Sequence, residues 1–291
     1  MVISKETEKI ILQLQQNEVT EQAIYLNLSK RVKSQTEKDT LKRIGDEEGV
    51  HSEIWRRYTN KNLKANKFKV FIYTLLSIIF GYTFAIKIME RSEKDAQDIY
   101  SKLITEVPEA KTIYQEEEAH EMVLISLLNE ERLQYVGSMV LGLNDALVEL
   151  TGTLAGLSFA LQNNKLVALS GLITGISATL SMASSEYLSA RSEGDSNALK
   201  SSLYTGIMYI FAVILLVLPY LLSPRDNYIQ ALIIMLVIVV LIIFVFTYYI
   251  SVAKDLPFKK RFVEMAVISL SVAALSFLVG IVVKHFLGID V

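Results

Sequence analysis

The chain has 291 residues, 52% of them hydrophobic, with 29 basic and 31 acidic side chains and a formal net charge of −2. It contains no cysteine, which excludes disulfides, zinc-thiolate sites, iron–sulfur clusters and rubredoxin-type centres. The balanced charge offers nothing to attract nucleic acid. Residues 1–135 hold 22 acidic and 20 basic residues, whereas residues 136–291 hold nine of each. The first part therefore reads as water-facing and the second as lipid-facing.

Residues 1–16 are charged and amphipathic. They lack an uncharged apolar core ahead of a cleavage site, so no signal peptide is expected. Ile11, Leu14, Val19, Tyr25, Leu28 and Val32 recur at helical spacing over residues 4–33 with no Pro or Gly, predicting a first helix. Ser34–Gln35–Thr36–Glu37 has the form of a capping box and predicts a second helix running to about Asn60. A third is expected over about Gly81–Glu106, ended by Pro108, and a fourth from Glu109 to about Glu131. The fourth leads almost without a linker into the first apolar stretch near Tyr135.

Val70 to Ile86 is seventeen residues without a charge. That is borderline for a membrane span, which needs about 20 apolar residues. The competing reading is a hydrophobic crossover, packed on the bundle or lying at the membrane surface. The crossover is preferred, because a span here would place the second and fourth helices on opposite sides of the membrane.

Those two helices carry the same spelling, Glu48–Gly49–Val50–His51 and Glu117–Glu118–Ala119–His120. A Glu and a His three apart on a helix point to one side, and together they are a pair of transition-metal ligands. The first helix offers Glu18 with Tyr25 seven residues on; the third offers Glu93 with Tyr100 seven residues on. One Glu from each of two helices plus Glu-x-x-His from each of the other two is the ligand set of a four-helix di-iron carboxylate bundle. Carboxylate oxygens with one imidazole per metal suit iron or manganese. Tyr25 and Tyr100 are expected to support the ligands or fill the core, and Trp55 to pack. Glu116, Glu118 and Glu121 are expected to be solvated, some of them lining a route for incoming cations.

Five candidate spans follow, at about 136–161, 166–189, 203–223, 230–252 and 263–286. Loops after even-numbered spans hold Arg191 and Lys200, then Lys254, Lys259, Lys260 and Arg261, whereas loops after odd-numbered spans hold only Lys165 and Arg225. The positive-inside rule therefore puts residues 1–135 in the cytoplasm. Acidic groups inside spans are costly and mark function. The first span holds Asp145 and Glu149; the second holds Met182 and Glu186. Carboxylates and a thioether facing one another would bind a borderline cation such as Fe²⁺ rather than Mg²⁺. The carboxylates could take up protons as the metal leaves. For Met182, core packing is the simpler reading. Gly152 with Gly156, and Gly171 with Gly175, are spaced for close helix contact.

The duplicated pattern over residues 5–131 resembles the ferritin-like superfamily, rubrerythrin in particular. The resemblance implies that Glu18 and Glu93 are terminal ligands, that Glu48 and Glu117 bridge, and that His51 and His120 bind one metal each. Rubrerythrins also carry a second acid on the third helix, for which Glu90 is the candidate. Asn144–Asp145–Ala146 and Ser181–Met182–Ala183–Ser184–Ser185–Glu186–Tyr187 resemble signature segments of the vacuolar iron transporter family, which implies five spans, a dimer, and exchange of Fe²⁺ or Mn²⁺ for protons. Asp145, Met182 and Glu186 fall on that family's transport residues, and Pro219–Tyr220 also fits. The Glu-rich insert often found in that family between spans two and three is missing, and Glu149 is an extra acid. The combination resembles membrane-bound ferritin-type iron exporters.

The expected architecture is thus all-α. A ferritin-like bundle at 1–133 holds two iron or manganese ions, without haem or nucleotide, and a five-span domain follows at 134–291. The expected activity is export of Fe²⁺ or Mn²⁺ across the cytoplasmic membrane by a homodimer, in exchange for protons, with the bundle capturing or sensing metal. The alternative is a membrane-anchored di-iron peroxidase or ferroxidase. Against it stand the acids inside the spans and the lack of a built-in rubredoxin.

Overall fold

A computed structural model describes residues 3–94, 103–127, 134–224 and 227–287. It is all-α, and among the described residues there is no strand. Two compact units divide the chain, Met1–Glu130 and Glu131–Val291.

The first unit contains α1 (Lys5–Ser29), α2 (Gln35–Thr59), α3 (Lys67–Phe80), α4 (Tyr82–Lys94) and α5 (Glu109–Leu127). Local chemistry sets several of these ends. The Ser4 side chain accepts from Thr7 N, and the Ser34 side chain accepts from Glu37 N. Each satisfies one of the orphan donors of a first helical turn. The uncharged stretch from Val70 to Ile86 is not continuous. Gly81 adopts φ +96°, a conformation glycine reaches without steric cost, and this breaks the stretch into α3 and the start of α4. With 14 residues, α3 is about 21 Å long, short of a bilayer core of about 30 Å. The expected third helix begins one residue later than Gly81 and is described only to Lys94. Its continuation through Tyr100 lies outside the described residues, as does the run-on from α5 into the first span.

Two apolar clusters form the core of this unit. One holds Ile24, Leu28, Leu41, Ile44, Ile86 and Met89. The other holds Ile11, Leu14, Trp55, Val107, Ala110 and Ile113. On α1 the order is Ile11 and Leu14, then Glu18, then Ile24 and Leu28. On α2 it runs the other way: Leu41 and Ile44, then Glu48 and His51, then Trp55. The polar positions therefore form one layer between two apolar ones.

The second unit contains α6 (Val136–Leu161), α7 (Asn164–Ser192), α8 (Ala198–Leu222), α9 (Tyr228–Ala253) and α10 (Phe258–Leu287). All five are long and apolar enough to cross a membrane. Small residues let them approach closely. A Cβ on Gly142 would lie 2.2 Å from the Thr205 carbonyl oxygen of α8, and one on Gly280 of α10 would lie 2.5 Å from the Gly156 carbonyl oxygen of α6. Gly171 and Gly175 likewise abut Leu154 and Val213.

Candidate metal centre

Within the first unit, α1, α2 and α5 bring Glu18, Glu48, His51 and Glu117 together, with one ligand atom from each within 4.8 Å of the others. Nδ1 of His51 lies 2.9 Å from Oε1 of Glu117 and 3.4 Å from Oε2 of Glu48. Nδ1 of His120 lies 3.2 Å from Oε1 of Glu48 and 3.6 Å from Oε2 of Glu117. Both motif carboxylates thus stand between both rings, and the ring centroids are 5.9 Å apart. The i, i+3 spacing makes this possible by placing Glu and His of each motif on one helix face.

The outer nitrogens are held differently. Nε2 of His51 lies 2.8 Å from Glu116, and Nε2 of His120 lies 2.6 Å from Glu47. Each histidine is therefore tied to the acid that precedes the motif Glu of the opposite helix. Glu116 is about half exposed but is not merely solvated. The sequence carried a signal for this pair, since both motifs read Glu-Glu-x-x-His when their preceding residue is included. Trp55 packs and also donates to Glu18, Nε1 to Oε1 at 3.1 Å.

The chemistry of the donors fits a metal ion. Oε2 of Glu18, Oε2 of Glu48 and Nδ1 of both histidines are buried without a hydrogen-bond partner. Buried polar groups ordinarily have partners, and buried carboxylates are stable only when paired or metal-bound. Among the described residues no Lys or Arg forms an ion pair with Glu18, Glu48 or Glu117. Burial would lower both histidine pKa values, but the adjacent carboxylates of Glu117 and Glu48 outweigh it and raise each to about 10. Burial would raise Glu48, but the two rings beside it, His120 and then His51, bring it down to about 2. Burial, then the charges of Glu117 and Glu48, push Glu18 well above the usual carboxylate range. The cluster demands compensating cations, which protons or a divalent metal can supply.

Glu90 on α4 accepts from Tyr25. Burial raises its pKa to about 7 against that hydrogen bond, and the charges of Glu117 and Glu48 add to the rise. It belongs to the same electrostatic neighbourhood. The Glu93 side chain lies outside the described residues.

In the second unit Asp145 and Glu149 lie one turn apart on α6. Tyr209 of α8 donates to Glu149 Oε2 at 3.1 Å. Ser138 of α6 donates to Glu186 Oε1 on α7 at 2.7 Å. Met182 packs, partly buried, against the apolar core of this unit. No hydrogen bond among the described residues joins Asp145 to Met182 or Glu186. Glu149 is exposed on the single chain and Asp145 is half-buried. Tyr220, beside Pro219, is buried with its hydroxyl 2.8 Å from Ser158 Oγ.

Residues 136–198 and 193–281 match the family model of the VIT family, and the two matches together cover half of the chain. No curated protein and no solved structure matches it.

Proposed function

The chain belongs to the VIT family, and from that premise we propose that it exports Fe²⁺ or Mn²⁺ from the cytoplasm in exchange for protons. Family and span count make it a multi-pass membrane protein that transports metal ions. The direction, the cargo and the exchanged proton are our reading.

The observation that carries the reading is Glu149. It sits midway along a 26-residue apolar helix and is exposed on the single chain. A carboxylate at the bilayer centre facing lipid would cost about 2.5–3.5 kcal/mol even on the most lenient scale. Its face must therefore meet water or protein. A homodimer with α6 lining the shared path provides both. In that path Asp145, Glu149 and Glu186 supply hard oxygens and Met182 supplies a soft sulfur, a mixed set that suits Fe²⁺ or Mn²⁺ over Mg²⁺. Each carboxylate takes up a proton as the cargo leaves, which couples outward metal to inward protons.

In the first unit, Glu18, Glu48, His51, Glu90, Glu93, Glu117 and His120 would hold two iron or manganese ions in a ferritin-like bundle. When bound, such ions supply redox and Lewis-acid chemistry. The protein's own contribution is to orient both rings through Glu116 and Glu47, to exclude water with the flanking apolar clusters, and to release the ring protons as metal arrives. The basic loops favour a cytoplasmic side for this unit, where it would capture or sense the cargo. The rival is a membrane-anchored peroxidase or ferroxidase.

Proteoliposomes carrying a pH gradient and reporters for Fe²⁺ and protons test this. Wild-type protein should show coupled flux and Asp145→Ala should lose it; undiminished flux in Asp145→Ala would overturn the transport path. The double variant His51→Ala/His120→Ala should slow or deregulate flux. Unchanged flux there would assign the bundle to separate enzymatic chemistry.

A further inference from the structure

Helix α3 has no buried residue. Its two faces are nonetheless distinct. Val70 and Tyr73 pack against the cluster of Ile24, Leu28 and Ile44, and Thr74 Oγ1 accepts from Asn27 at 2.8 Å. The opposite face presents Phe68, Phe71, Leu75, Ile78 and Ile79, between 42% and 69% exposed. At about 100° per residue these five fall within one arc of about 100°. Such a contiguous apolar face on a water-facing unit marks a contact surface.

Charge indicates the contact. From Ile54 to Met89 the chain contains no acidic residue, and Lys64, Lys67 and Lys69 lie at or just before the start of α3, all exposed; Lys61, further back, pairs with Glu8 at 3.7 Å. Lys67 and Lys69 occupy the first turn, which holds no acid to balance them. The helix dipole disfavours cations at that end, so an anionic surface would relieve a local conflict that the sequence otherwise leaves in place. A second copy docking α3 on α3 would cover the apolar face but, since the helix carries no acid, would offer these lysines no anionic partner.

We infer that α3 is an interfacial helix, its apolar face seated in the headgroup region of the bilayer that the same chain spans and its lysines on anionic headgroups. Short helices with an apolar arc and flanking lysines lie in the membrane plane rather than across it, and juxtamembrane basic clusters are drawn to anionic lipid. Because the bundle is tethered to the spans, the bilayer is always at high effective concentration, so a modest apolar face suffices.

The absence of cysteine makes the test clean. Full-length Leu75→Cys, carrying an environment-sensitive fluorophore, is reconstituted in nanodiscs of phosphatidylcholine with or without phosphatidylglycerol. Arg57→Cys, exposed at the end of α2, serves as the reference, and far-UV circular dichroism confirms that each variant keeps wild-type helix content. The label at 75 should be blue-shifted and quenched several-fold more than that at 57 by a nitroxide attached near the lipid headgroup, with the larger difference in anionic discs. The triple variant Lys64→Glu/Lys67→Glu/Lys69→Glu should shrink that difference. Equal quenching of both sites by aqueous iodide would overturn the proposal by showing a water-exposed face. Protection of position 75 from both quenchers would overturn it in favour of a second copy. Undiminished lipid quenching in the triple lysine variant would overturn the role given to anionic headgroups.

Discussion

Nε2 of His51 lies 2.8 Å from Oε2 of Glu116, joining α2 to α5 from outside the carboxylate cluster. His120 and Glu47 repeat the contact in the opposite sense at 2.6 Å. An imidazole whose outer nitrogen donates to a carboxylate is fixed in tautomer and orientation, leaving the inner nitrogen as a more basic ligand. Glu116→Gln and Glu47→Gln should each weaken metal binding by about 10–100-fold with little effect on the fold. Metal titration of the purified protein measures the affinity, and circular dichroism separates it from unfolding.

Removing a ring should cost more than loosening it. His51→Ala deletes a candidate ligand atom and leaves Glu48 and Glu117 with less compensation in a buried layer. Elemental analysis of His51→Ala or His120→Ala should find less bound metal than in wild type. Retention of full metal content in both variants would show that the ions sit elsewhere.

Both histidines have pKa values raised to about 10 from 6.5 by Glu117 and Glu48, against the effect of burial. In metal-free protein their stabilising contribution is fully present below 6.5 and is lost as pH rises through 10. Glu48, lowered from 4.5 to about 2, contributes above 4.5, and that contribution is lost as pH falls through 2. Metal must displace the ring protons, so its apparent affinity should keep rising with pH well past 6.5. Calorimetry at neutral pH in two buffers of different ionisation enthalpy should reveal protons released per metal bound. Heats independent of buffer would contradict this.

Tyr209 reaches Glu149 from α8 and holds one oxygen of an acid placed at mid-span. Tyr209→Phe should leave the protein folded and reduce flux less than Asp145→Ala does, because it frees a proposed ligand rather than deleting one. The proteoliposome assay ranks the two variants directly.

Gly280 meets the Gly156 carbonyl oxygen so closely that an added Cβ would stand 2.5 Å away. Backbone lies on the other side and cannot rotate aside as a side chain would. Gly280→Ala should therefore push α10 from α6 and destabilise the second unit by about 1–3 kcal/mol, the usual cost of overpacking. Thermal unfolding in detergent reads the loss, and Gly137→Ala, which meets nothing within 4 Å, is the control.

Local chemistry made much of this molecule legible in its sequence. The uneven density of charged residues separated a polar part from an apolar one, Ser34 marked the start of α2, and five apolar runs marked five long helices. Period 3.6 placed Glu48 with His51, and Glu117 with His120, each on one face. These are statements about residues a few positions apart, where helical geometry leaves little freedom. Tertiary structure decided which faces meet. That Glu116 holds His51, that Trp55 donates to Glu18, and that Tyr209 and Ser138 hold Glu149 and Glu186 are contacts across 37 to 65 positions. Periodicity orients a side chain about its own axis and carries no information about the helix opposite. Gly81 had a similar fate. The sequence showed seventeen uncharged residues, and only the φ of +96° divided them between one helix packed on the bundle and the start of a second.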